Sequence, residues 1–123
     1  MTEIDLGNGV TLQAPDGAVQ TPEQGIDSIV GRIRGDGFEC QYDHGLYSND
    51  MKSVENAETE ALDLSGVSAR LVTAPPDFIG LHVPVIAKTV IGDRKLTVTC
   101  HSNDQARQAV LDMLQSLHVP PAE

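Results

Sequence analysis

Tryptophan is absent from this chain, and the other aromatic side chains number four: Phe38, Tyr42, Tyr47 and Phe78. So few rings offer no platform on which nucleic-acid bases stack. Basic residues are scarce too. Eight Lys and Arg face eighteen Asp and Glu, a net charge of −10 over 123 residues. A nucleic-acid backbone or an anionic membrane repels such a chain as a whole, so nucleic acid is not an expected partner. No apolar run approaches the ~18 residues of a membrane helix, and membrane insertion is not expected. The opening stretch, Met1 to Val10, lacks the basic head and apolar run of a signal peptide. As it stands the chain reads as cytoplasmic. With a leader already removed, it reads as the mature part of an exported protein.

Chemical signatures are missing in the same way. The sequence contains no GxSxG, no GxxxxGK[ST], no HExxH, and no GxGxxG following a strand. No cofactor is expected. His44, His82, His101 and His118 show neither i,i+2 nor i,i+4 spacing, and they read as isolated surface residues. His82 and His101 occupy outward-facing strand positions and would meet only if their strands were neighbours. Cys40 and Cys100 are too far apart in sequence for a CxxC redox or zinc motif. Both fall on the apolar parity of their strands, which predicts two free, buried thiols. A disulfide between neighbouring strands is the alternative, and it would argue for export.

What the chain does have is a core and a pattern. Leu, Ile, Val and Phe make up about a quarter of it, above the ~20% floor of disordered chains. One domain over 1–119 is expected, with a short tail at 120–123 begun by Pro120 and Pro121. Residues 3–14 alternate around Gly7-Asn8-Gly9 and read as a hairpin. Thr21-Pro22-Glu23 has the form of a helix start, ended at once by Gly25. From Ile26 to Asp43 the alternation returns around Gly35-Asp36-Gly37, with Ile29, Ile33, Phe38, Cys40 and Tyr42 on the core side. Strands flank Ser65-Gly66, continue over 78–87 with Pro84 at an edge or bulge, and resume over 95–101. Ser102 to Gln105 fits a capping box, and Ala106, Val110, Met113, Leu114 and Leu117 make one apolar stripe. The spacing predicts a helix over 103–117. The expected fold is α+β, an antiparallel sheet of six to eight strands with this C-terminal helix packed on one face.

Charge is unevenly spread. Residues 35–63 hold eight acids against Lys52 alone, seven of the ten net negative charges. The long stretch 44–57 without periodicity lies inside this segment. Asp43, Asp50 and Glu55 are the candidate binding residues, either for a cation or for a protein partner with a basic surface. Arg32 and Arg34 offer the competing, structural account, since across the 35–37 turn they can neutralise Glu39.

The layout of an N-terminal hairpin, Gly25-Ile26-Asp27-Ser28-Ile29-Val30-Gly31, Phe38–Asp43, Gly66-Val67-Ser68-Ala69-Arg70, a Lys95–Thr99 strand and a helix closing on Leu114-Gln115-Ser116-Leu117 resembles the PsbP-like superfamily. That group includes photosystem-II extrinsic proteins and small exported bacterial proteins. The resemblance implies a non-catalytic binding domain and carries over no individual site residue. The expected function is therefore a non-enzymatic binding or accessory domain, from an exported bacterial protein. A small hydrolase or metal-dependent enzyme with a non-sequential site is one alternative. A cytoplasmic protein-interaction module is the other.

Overall fold

The computed structural model describes residues 1–24, 28–46, 48, 51, 54–64 and 66–120. Alternation becomes ladder along most of the chain. Strands β1 (Thr2–Asp5) and β2 (Thr11–Ala14) form the first hairpin and a sheet of their own. Seven more strands make one antiparallel sheet: β3 (Val19–Glu23), β4 (Ser28–Gly35), β5 (Phe38–Gly45), β6 (Glu58–Leu64), β7 (Val67–Ala74), β8 (Phe78–Thr89) and β9 (Gly92–Ser102). Their spatial order is β3-β4-β5-β9-β8-β7-β6, so two runs of hairpins meet where β9 pairs with β5. Helix α1 spans Arg107–Gln115.

The alternation places Ile33, Cys40, Tyr42, Leu71, Ile79, Leu81, Leu96 and Val98 on one face of the large sheet. Over that face lie the β1–β2 hairpin and α1, which contribute Ile4, Leu6, Leu12, Val110, Met113 and Leu114 to the same buried cluster. The helix packs chiefly on β2 and reaches β8 and β9. Its exit is tied down. Thr11 and His118 exchange two backbone hydrogen bonds, and the Gln13 amide donates to Ser116 Oγ at 2.8 Å. Gly31 serves a close approach, since a Cβ there would collide with the Tyr42 hydroxyl. Tyr42 thus lies across β4, and its hydroxyl accepts a hydrogen bond from Gln20 on β3 at 2.8 Å.

Several expectations are corrected. The molecule is mostly β rather than clearly α+β, with nine strands and one short helix among the described residues; the expected antiparallel sheet is present and has seven strands. The helix begins at Arg107, not 103, and covers nine residues. Ser102 is the last ladder residue of β9, opposite Phe38, so it is not free to cap. Asn103 Oδ1 instead accepts from the Ala106 amide and holds a turn ahead of the helix. Thr21-Pro22-Glu23 is a strand: Pro22 sits on the outermost strand, where a missing amide costs least. Ile29 has core parity but is 39% exposed, because the covering hairpin ends at Gly7, whose backbone abuts its side chain. His82 is buried and faces Thr97, while His101 faces Phe78, so the two histidines are not partners.

The thiol expectation is overturned as well. Cys40 and Cys100 lie directly opposite each other on β5 and β9, with Cα atoms 4.0 Å apart, and they form a disulfide. Parity gave the correct side of each strand. It did not give the strand order, and only the order makes the two cysteines neighbours.

Candidate functional site

The second face of the large sheet carries Arg32, Arg34, Glu39, Gln41, Asp43, Thr97 and Thr99. No helix covers it. Over β7 and β8 the described residues of 46–57 supply a partial cover. Met51 is 4% exposed, and its sulfur occupies the space a Cβ at Gly80 would need. Ser48 Oγ donates to the Asp43 carbonyl at 2.8 Å and anchors this segment to β5. Beside the cover lies a groove of about 330 Å³, lined by Glu23, Val30, Gln41, Asp43, Thr97 and Thr99 together with Gly31 and Tyr42.

Asp43 gives the groove its character. Its Oδ1 is buried and has no hydrogen-bond partner among the described residues. A carboxylate oxygen withdrawn from water without a donor is costly, and a positive group placed nearby offsets that cost. Glu23 brings a second carboxylate. It accepts from Arg32 Nε at 2.6 Å, and Arg32 Nη1 donates to Glu39 at 2.8 Å. Donation to these two carboxylates, Glu23 foremost, raises the Arg32 pKa. Arg34 adds a looser contact to Glu39 at 3.6 Å. The structural account of Arg32, Arg34 and Glu39 across the turn is therefore realised, and it leaves Asp43 without a described cation. The groove can receive an ammonium or guanidinium group and hydrogen-bond it through carboxylates, an amide and threonine hydroxyls.

Of the three candidates named from sequence, Asp43 lines this groove. Glu55 is exposed in a turn next to Asn56 and is not part of the lining. Asp50 lies outside the described residues. No group of three His, Cys, Asp or Glu side chains among the described residues is placed to hold a metal ion. Sequence reasoning missed Glu23, Gln41, Thr97 and Thr99. The signal that finds them is polar parity on β5 and β9, read together with the pairing of those two strands.

The histidines are engaged elsewhere. His82 Nδ1 contacts Thr97 Oγ1 at 3.0 Å, and both residues are buried. His101 Nδ1 is 3.1 Å from Asp77 Oδ1 on the surface. His44 is 1% exposed; its Nδ1 donates to the Leu6 carbonyl at 2.9 Å, and its Nε2 accepts from Arg94 Nε at 2.9 Å. Burial lowers its pKa and the Arg94 charge adds to that, against the opposing pull of the Leu6 carbonyl and Asp43. These contacts fix the neutral ring with its proton on Nδ1. No helix among the described residues is long and apolar enough to cross a membrane. No protein-family model matches the chain, and neither a curated protein nor a solved structure matches it.

Proposed function

We propose that this protein is a non-enzymatic binding domain that receives a cationic side chain of a protein partner in the Asp43 groove. The observation that carries this reading is the Asp43 carboxylate, one oxygen buried without a donor among the described residues, in a groove that also holds Glu23. A lysine or arginine entering the groove supplies a charge that the described residues do not place on Asp43. The acidic excess of the molecule raises the local concentration of basic partners and speeds their approach. The PsbP-like resemblance implies the same class of function. The Cys40–Cys100 disulfide supports work in an oxidising compartment, as expected of an exported bacterial protein.

The test is a titration with short lysine- and arginine-containing peptides, followed by backbone amide shifts. Shifts are expected at Gln41, Asp43, Thr97 and Thr99, weakened by Asp43→Asn and by Glu23→Gln. Peptide binding unchanged in Asp43→Asn, or shifts confined to other surfaces, would sink the reading.

A further inference from the structure

The β8–β9 hairpin outruns the sheet that contains it. Strand β7 pairs with β8 up to His82, and β5 pairs with β9 as far as Lys95. Beyond these rungs β8 and β9 pair only with each other, through Ala87–Arg94, Lys88–Asp93 and Thr89–Gly92. A register shift between Val83 and Ala87, around Pro84, separates this arm from the sheet. Bulges of this kind bend and re-aim a strand.

At the apex two β-branched apolar residues stand side by side in water. Val90 is fully exposed and Ile91 is 77% exposed. Thr89 holds them there: its hydroxyl donates to the Gly92 carbonyl at 2.6 Å and accepts from the Ile91 amide at 3.3 Å, closing the turn. Behind the apex is a hollow of about 390 Å³ lined by Ile29, Leu46, Val90, Ile91 and Arg94 among others, so the apolar surface continues off the arm. Charge is sorted as well. Residues 84–95 hold Lys88, Arg94 and Lys95 against Asp93 alone, in a chain with eight cations and eighteen anions. Alternation places Arg94 on one side of the ribbon and Lys88 and Lys95 on the other.

We infer that the arm is a lipid-contact device that seats the protein on an anionic bilayer. Val90 and Ile91 enter the boundary between headgroups and acyl chains, and Lys88, exposed beside the apex, meets the phosphates, with Lys95 behind it on the same side of the ribbon. A projecting apolar apex enters a bilayer without a pre-formed pocket, whereas a protein partner would need one cut to fit it. The net charge of −10 opposes approach of the body, but the cations of residues 84–95 reverse the sign locally behind the apex. This inference is independent of the Asp43 groove.

The experiment is flotation of the whole chain with phosphatidylcholine vesicles, with and without phosphatidylglycerol. Binding is expected to the phosphatidylglycerol-containing vesicles and to fall as salt rises. Val90→Ser combined with Ile91→Ser should weaken it about tenfold or more, since each side chain moves from water into an apolar phase. Lys88→Glu should weaken binding and flatten its salt dependence. Both changes lie at exposed positions, and unaltered amide spectra will show that the fold survives. Asp43→Asn should float like the parent chain. Absence of flotation, flotation unaffected by the apex substitutions, or capture of an acidic peptide by the arm without flotation would each overturn the assignment.

Discussion

The two faces of the seven-stranded sheet share the same strands and the same alternation, yet they are finished in opposite ways. One is sealed by a hairpin and a helix around fully buried Leu12, Leu81, Leu96, Met113 and Leu114, with a disulfide inside the seal. The other is half covered by Met51 and Ser48 and elsewhere left as a polar groove with a carboxylate oxygen that has no partner among the described residues. The lesson is a division of labour within a thin molecule. The sealed face supplies the apolar burial that holds the strands together. The second face displays residues such as Asp43 that a well-packed core would not tolerate.

Substitutions can break or sharpen this contrast. Leu114→Ala on the sealed face should cost about 3–5 kcal/mol, the upper part of the range for a fully buried leucine, measured by denaturant unfolding. Removing the staple comes next. Cys40→Ala with Cys100→Ala, a pair separated by 60 residues, should lower stability by about 2–4 kcal/mol. Intact mass without reductant should read two hydrogens below the free dithiol, and two titratable thiols under those conditions would refute the bond. On the covered part of the second face, Met51→Ala should cost about 2 kcal/mol, because a partial cover collapses into the space more easily than a closed core. Asp43→Asn should change stability by no more than about 0.5 kcal/mol or raise it slightly, since the buried oxygen has no hydrogen bond among the described residues to lose. A loss of 3 kcal/mol or so would mean that the carboxylate is structural.

On the sealed face, against Leu6 of the hairpin, sits His44, and its pH dependence has a definite sign. The lowered pKa means that the unfolded chain takes up a proton before the folded one does. Stability is therefore full above the unfolded value near pH 6.5 and falls as pH drops below it, toward the folded pKa. Melting temperature compared between about pH 7.5 and about pH 5.5 should fall less in His44→Gln than in the parent chain. Protonation also places a positive ring against the Arg94 guanidinium, so amide shifts at Arg94 should move with the same titration.

Legibility from sequence followed the range of the forces involved. The hairpins at 3–14 and 28–43 were readable because alternation and Gly-containing turns are local. The alternation also gave the side of Cys40, Cys100, Leu96 and Val98. The pairing of β5 with β9 was not readable, because it joins segments that have no sequence signal for each other. Everything that depends on that pairing was hidden with it: the disulfide, and Thr97 and Thr99 beside Asp43. The helix was overextended because Ser102 has good capping chemistry and a better use in the ladder. Of the candidate site, Asp43 was found through its charge, and Glu23 was missed because a proline in front of it imitated a helix start.

The lock between Thr11 and His118 has a mechanical meaning. Strand β1 runs against β2, and the segment from Ser116 to His118 runs against β2 on its other side. A pull through Met1 and Pro120 therefore drags the two flanking segments in opposite directions along β2. Their hydrogen bonds are loaded together, in shear, rather than peeled one at a time. Tension applied from either side of the domain meets this small clamp first, and the large sheet behind it is shielded until the clamp slides.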